Sequence, residues 1–225
     1  MLVRIIVFIA IIISPVIAFS GEDDAWQFDL APLYLWAISI DGDMGIGDRT
    51  ASASIDFGDV WDKLEGTVTL RFNATYREKF GMFVDYNYLD LGKEITTAVG
   101  NIEASFTSEI LNLAGTYRFL NGPHTLEGVA GIRYTKLDAG IRLRDLAISL
   151  DGDHSWVDPI VGLGYNYQIS DRWSLRLYGD IGGFGAASDF TWQALALIDY
   201  QPWENFAIAA GYRALGTDYE TGSGA

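Results

Sequence analysis

Apolar and polar residues alternate along most of the chain beyond residue 25. In GTVTLRFNATYR (66–77), Val68, Leu70, Phe72, Ala74 and Tyr76 fall on one side of an extended chain. Thr67, Thr69, Arg71, Asn73, Thr75 and Arg77 fall on the other. Strand side chains point to opposite faces in turn, so this pattern predicts an amphipathic strand. The same reading gives about nine strands of membrane-spanning length. They lie near 26–40, 66–78, 80–91, 104–119, 124–138, 155–169, 172–184, 189–201 and 204–216.

Two kinds of connection alternate between these strands. Short ones are REKFG (77–81), FLNGPH (119–124), ISDRW (169–173) and QPWENF (201–206), and longer ones include 41–65, 92–103 and 139–154. Short turns at one end and long loops at the other are the asymmetry of a transmembrane up-and-down barrel. The connection at 185–189 departs from it by being short where a long loop is expected. Pro32 and Pro159 each predict a bulge or a strand end.

The residues beside the short turns decide which face meets what. Tyr76, Phe80, Tyr117, Phe119, Tyr167, Trp173, Tyr200, Trp203 and Phe206 gather there, at one level, where amphipathic rings sit at a bilayer interface. Trp36, Tyr88, Tyr134, Trp156 and Trp192 are expected to form the opposite girdle. Between the girdles, Leu70, Phe72, Leu111, Leu113, Val161, Leu163, Leu175 and Leu177 are expected to face lipid. Arg71, Arg77, Asp85, Glu109, Arg118, Glu127, Arg133, Asp158, Arg176, Asp180 and Arg213 are expected to line the lumen, with opposite charges paired. A soluble exported barrel reverses this, with the leucines around an apolar ligand pocket. Glycines inside the strands predict curvature and places where a neighbouring ring lies across the backbone.

The N-terminus, MLVRIIVFIAIIISPVIAFSGEDD, has the layout of an export leader: Arg4, an apolar run, then Ala18 and Ser20 before an acidic start. The expected organisation is therefore a signal peptide at 1–20 and a barrel at 21–225. The chain has no cysteine, so a disulfide framework is excluded. Its formal charge of −15 argues against nucleic acid as a partner.

Residues 156–193, WVDPIVGLGYNYQISDRWSLRLYGDIGGFGAASDFTWQ, together with AAGYRAL (209–215), resemble a widespread group of bacterial outer-membrane β-barrel proteins whose function is generally unassigned. The resemblance is best after residue 155 and implies a fold and an address rather than an activity. It implies outer-membrane lipids, lipopolysaccharide and the barrel-assembly machinery as partners, and no cofactor. Such proteins usually end in a further strand with a terminal aromatic, whereas this chain ends YETGSGA. On that basis residues 1–225 are expected to lack a closing strand, with ten strands in the complete barrel, or eight or twelve.

Candidate chemistry is sparse. There are two histidines. His124 falls in a short turn, and His154 lies in a predicted loop beside Asp151, Asp153 and Asp158, with Ser149 and Ser155 nearby. An Asp–His pair at a barrel rim would resemble the omptin proteases, and a Ser–His pair a lipid hydrolase. DGD at 41–43 is the candidate second acidic pair. Segment 41–65 holds Asp41, Asp43, Asp48, Asp56, Asp59, Asp62 and Glu65, but not in ordered calcium-loop spacing. GDIGGFG (179–185) sits on a strand with no helix after it, so it is not a dinucleotide turn. The expected function is a structural, passive-permeation or surface-interaction role without catalysis.

Overall fold

The computed structural model describes the backbone of residues 2–20, 25–32, 35–46, 49–55, 64–97, 100–143 and 148–220. Side-chain surroundings are described for 17, 25–31, 68–92, 105–138, 140 and 152–218. All regular structure is β: β1 (Leu2–Ser20), β2 (Trp26–Pro32), β3 (Leu35–Ile46), β4 (Arg49–Ile55), β5 (Leu64–Tyr76) and β6 (Phe80–Thr97). Then follow β7 (Gly100–Leu120), β8 (His124–Leu143), β9 (Ile148–Ser170), β10 (Trp173–Gly183), β11 (Phe190–Trp203) and β12 (Phe206–Glu220).

From β5 onward each strand pairs antiparallel with its successor, the up-and-down order that short hairpins impose. β2 and β3 lie end to end along β1: Ile17 pairs with Leu30 and Ile13 with Leu35. β5 continues the sheet beside β2, and β4 does so beside β3. β1 also pairs with β12, which closes the ring. Nine strands thus come from residues 26–220, and the segment read as an export leader takes the tenth position in the full chain.

The barrel is inside-out. Leu163 (59% exposed), Val68 (52%) and Val161 (47%) face outward, whereas Arg133 and Asp158 are fully buried. Leu70, Leu113 and Leu177 are also exposed on the outer wall, with Phe72, Leu111 and Leu175 half-buried beside them. A soluble barrel with an apolar pocket is therefore ruled out, because the leucines that would line the pocket face away from the lumen. A polar interior and an apolar exterior make this a transmembrane barrel.

The four short turns are as expected, at 77–79, 121–123, 171–172 and 204–205. The described residues of the expected loops at 92–103 and 139–154 are instead strand. β6 runs to Thr97 and β7 starts at Gly100, while β8 runs to Leu143 and β9 starts at Ile148. β9 leaves β10 at the Ile160–Gly182 pair and continues upward beside β8 alone. At about 3.3 Å per residue, β9 extends on the order of 40 Å along its own axis beyond that pair.

β2 is described as far as Pro32, and 33–34 lie outside the described residues. Pro159 causes no bulge against β8: it lies just beyond the β10 ladder, where its missing N–H has one fewer neighbour to serve. Two glycines hold rings. A Cβ at Gly128 would meet Phe119 at 2.9 Å, and one at Gly216 would meet Trp192 at 2.4 Å.

Candidate functional site in the barrel lumen

Inward positions follow from strand parity: odd residues on β5, β6, β8, β11 and β12, even ones on β7, β9 and β10. This parity stacks the lumen in layers. At the short-turn end is an open cup of about 340 Å³. Its walls carry Asp29, Arg71, Arg118, Glu127, Arg176 and Asp199, and Arg172 stands at its mouth. Arg118 Nε lies 3.6 Å from Glu127, and Arg176 Nε donates to Asp199 at 3.2 Å.

An apolar layer roofs the cup. Phe83, Ala114, Val129 and Tyr178 pack together with Leu195 against them. The Phe83 and Tyr178 rings meet edge-on at 6.1 Å, and the Arg71 guanidinium lies 4.2 Å over Phe83.

One or two inward positions further along each strand, the lining becomes polar. Arg133 Nε donates to Asn112 at 2.8 Å, and its Nη1 donates to Thr191 at 3.0 Å. Its Nη2 donates to both oxygens of Asp180 at 2.9 Å and to Gln193 at 3.3 Å. Gln193 also accepts from Arg213 at 2.6 Å, and Arg213 Nη1 donates to Asn87 at 3.0 Å and Asp85 at 3.4 Å. Asp85 further accepts from Arg71 at 3.2 Å and from the Asn87 amide. Seven strands, β5 to β8 and β10 to β12, are thereby tied across the lumen. Buried charges persist at such a place because each is paired and hydrogen-bonded.

Above this lies a mixed layer. Asp158 accepts from the Trp156 indole at 2.9 Å and from the Ser188 amide and hydroxyl at 2.8 Å each. The 184–189 connection folds inward so that Ser188 is fully buried. Its entry needs a left-handed backbone at Gly183 (φ 85), Phe184 (φ 51) and Gly185 (φ 72), which glycine supplies at two of the three positions.

Nine of the expected lumen residues face inward: Arg71, Asp85, Arg118, Glu127, Arg133, Asp158, Arg176, Asp180 and Arg213. Glu109 does not. It sits on the outward face of β7 and accepts from Tyr86 at 3.1 Å, with Tyr88 and Lys136 as cross-strand neighbours. Arg77 is in a turn (φ 49), its guanidinium 5.1 Å over the Tyr76 ring.

Among the girdle residues, Tyr76, Phe80, Tyr88, Phe119, Tyr134, Tyr167, Trp173, Trp192, Trp203 and Phe206 are partly or well exposed. Trp156 is not a girdle residue: it is 7% exposed and points into the lumen. Trp36 lies outside the residues whose side chains are described.

His154 is within β9, and Asp151-Gly152 is strand rather than turn. Asp153 and Ser155 are exposed neighbours in the chain, and parity sends them to the face opposite His154. Asp158 shares the face of His154 but lies roughly 13 Å further along the strand at about 3.3 Å per residue. It is already bonded to Trp156 and Ser188. His124 is on the outer wall, stacked 4.5 Å from Tyr167 and 2.7 Å from the Tyr165 hydroxyl. The side chains of Asp151, Ser149 and the acids of 41–65 lie outside the described residues. Among the described residues no three potential metal ligands converge.

Strand parity on β11 could have identified Thr191 and Gln193 as inward, because neutral polar residues alternate there with outward Trp192 and Ala194. Ser188 carried no such signal.

No family model and no curated protein matches the chain. Among solved structures it is similar to Ail, the attachment invasion locus protein of Yersinia pestis (10% identity, 96% of this chain and 98% of that one, TM-score 0.37). It is also similar to the translocator domain of the autotransporter NalP from Neisseria meningitidis (10%, 98% and 89%, 0.42). A third is the outer membrane protease OmpT from Escherichia coli (9%, 96% and 95%, 0.32). The transmembrane-barrel fold rests on the chain's own strand order, polar interior and apolar exterior, not on these likenesses.

Proposed function

We propose that the protein is a non-conducting outer-membrane barrel with a structural and surface-interaction role, exported through a leader at residues 1–20. The observation that carries this reading is the lumen plug: an apolar layer around Phe83 and Tyr178 backed by the Arg133–Asp180 network. Packed rings and paired charges among the described residues would obstruct water and ions crossing the lumen. The tall β6–β9 wall is the part of the barrel best placed to meet partners outside, while outer-membrane lipid and lipopolysaccharide cover its apolar belt. The assembly machinery that inserts outer-membrane barrels is its partner during biogenesis.

The same reading makes the protein non-enzymatic: Asp158, which shares the face of His154, is already held by Trp156 and Ser188. Reconstitution in planar bilayers tests the closed lumen. Little or no steady conductance is expected, and large, weakly selective channels would overturn the reading.

A further inference from the structure

We infer that the cup at the short-turn end is a binding site for a small zwitterion, an amino acid or short peptide carrying both an ammonium and a carboxylate. Short turns lie on the periplasmic side of such barrels, so the cup opens to the periplasm. Its volume of about 340 Å³ falls at the lower end of small-ligand sites.

Two unmet demands of opposite sign define the ligand. Asp29, on the inward face of β2, makes no hydrogen bond or ion pair with any described residue, although the other inward aspartates are all bonded. Arg176, Arg118 and Arg71 act on it only through space. On the opposite side, Arg118 Nε is buried without a hydrogen bond, with Glu127 in ion-pair range at 3.6 Å, and the exposed Arg172 guanidinium at the mouth has no carboxylate partner among the described residues. A lone anion would leave Asp29 unanswered, and a lone cation would leave Arg172 so. An ammonium on Asp29 with a carboxylate toward Arg118 and Arg172 answers both, and Phe83 and Tyr178 offer the ligand an apolar roof. Charge-assisted contacts of this kind are the strong ones.

The test is calorimetric titration of the full chain in detergent micelles with alanyl-alanine, beside N-acetylalanine amide and acetate. Saturable binding of the dipeptide is expected, with neither control binding comparably. Asp29→Asn and Arg172→Gln should each weaken it at least tenfold. Asp29 has no bond to lose, so heat-modifiable migration on gels should persist; should Asp29→Asn fail to form the barrel, Arg172→Gln decides. Absence of dipeptide binding, equal binding of acetate, or unchanged affinity in the variant that folds would each overturn the inference. Conductance is a separate readout, so a failed titration leaves the closed-lumen reading untouched.

Discussion

Arg133 on β8 and Asp180 on β10 are joined by two hydrogen bonds of 2.9 Å from one guanidinium nitrogen, with side-chain exposures of 1% and 0%. Their strands are separated by β9, so the pair spans the lumen rather than a ladder. It fixes the position of one wall against another, and its removal gives the first prediction. Arg133→Met leaves Asp180 buried and unpaired, which should cost about 3–5 kcal/mol. Adding Asp180→Leu should recover much of that loss, because the unpaired charge goes too. Urea unfolding in lipid vesicles measures both; equal stability of the single variant and the parent would refute the plug as described.

Lipid contact gives a second. Leu177 is exposed near the middle of β10, between inward Arg176 and inward Tyr178. Leu177→Arg should destabilise the barrel by about 2–4 kcal/mol, the depth-dependent cost of a charge on the lipid face. A cost near zero would mean that this face meets water.

The outer wall changes character with height, and spin labels can locate the change. On β6, Met82 is exposed in the apolar belt, whereas Asp90 joins Thr107 (3.1 Å) and Tyr88 (3.3 Å) on the same face. A label at Met82 should relax with dissolved oxygen, and one at Asp90 with an aqueous nickel chelate. Lys136 and Asp138, at the same height, form a solvent-exposed pair 3.0 Å apart. Lys136→Ala should therefore leave the unfolding midpoint unchanged within experimental error.

Ser188→Ala should cost about 1–3 kcal/mol, since a buried carboxylate loses one of its donors. The Ser188 amide and the Trp156 indole still hold Asp158, so the barrel should fold. Proteolysis within 184–189 should speed up, and an unchanged cleavage rate would separate that loop from Asp158.

His154→Ala should remove no activity. Purified barrel screened against peptide and lipid substrates is the check, and turnover that vanishes in the variant would establish a rim hydrolase.

Strand positions were legible because alternation is local, and every predicted strand from 66–78 onward lies on an observed one. Height above the bilayer is not local, and the errors follow from that. Glu109 reads as a lumen residue by its charge, yet Phe106, Ser108 and Ile110 are the buried residues on that stretch of β7, because the outer wall there has already left hydrocarbon. Trp156 was assigned to the lipid interface by its ring, yet its N–H serves Asp158 inside the lumen. The cup was illegible for another reason: Asp29, Arg118 and Arg172 are far apart in the chain, and ring closure alone brings them around one space.

Residues 2–20 sit between β12 and β3 and run antiparallel to both. Those two neighbours therefore point the same way. A leader peptidase and the barrel make rival claims on one segment: a stave that stays cannot be a leader that leaves. Were it cut away, two like-directed edges would face each other across the seam. They can be sealed only by a parallel join, unusual in a wall otherwise woven antiparallel, or by another stave of opposite heading. Processing and closure of this barrel are in that sense a single event, decided at one seam.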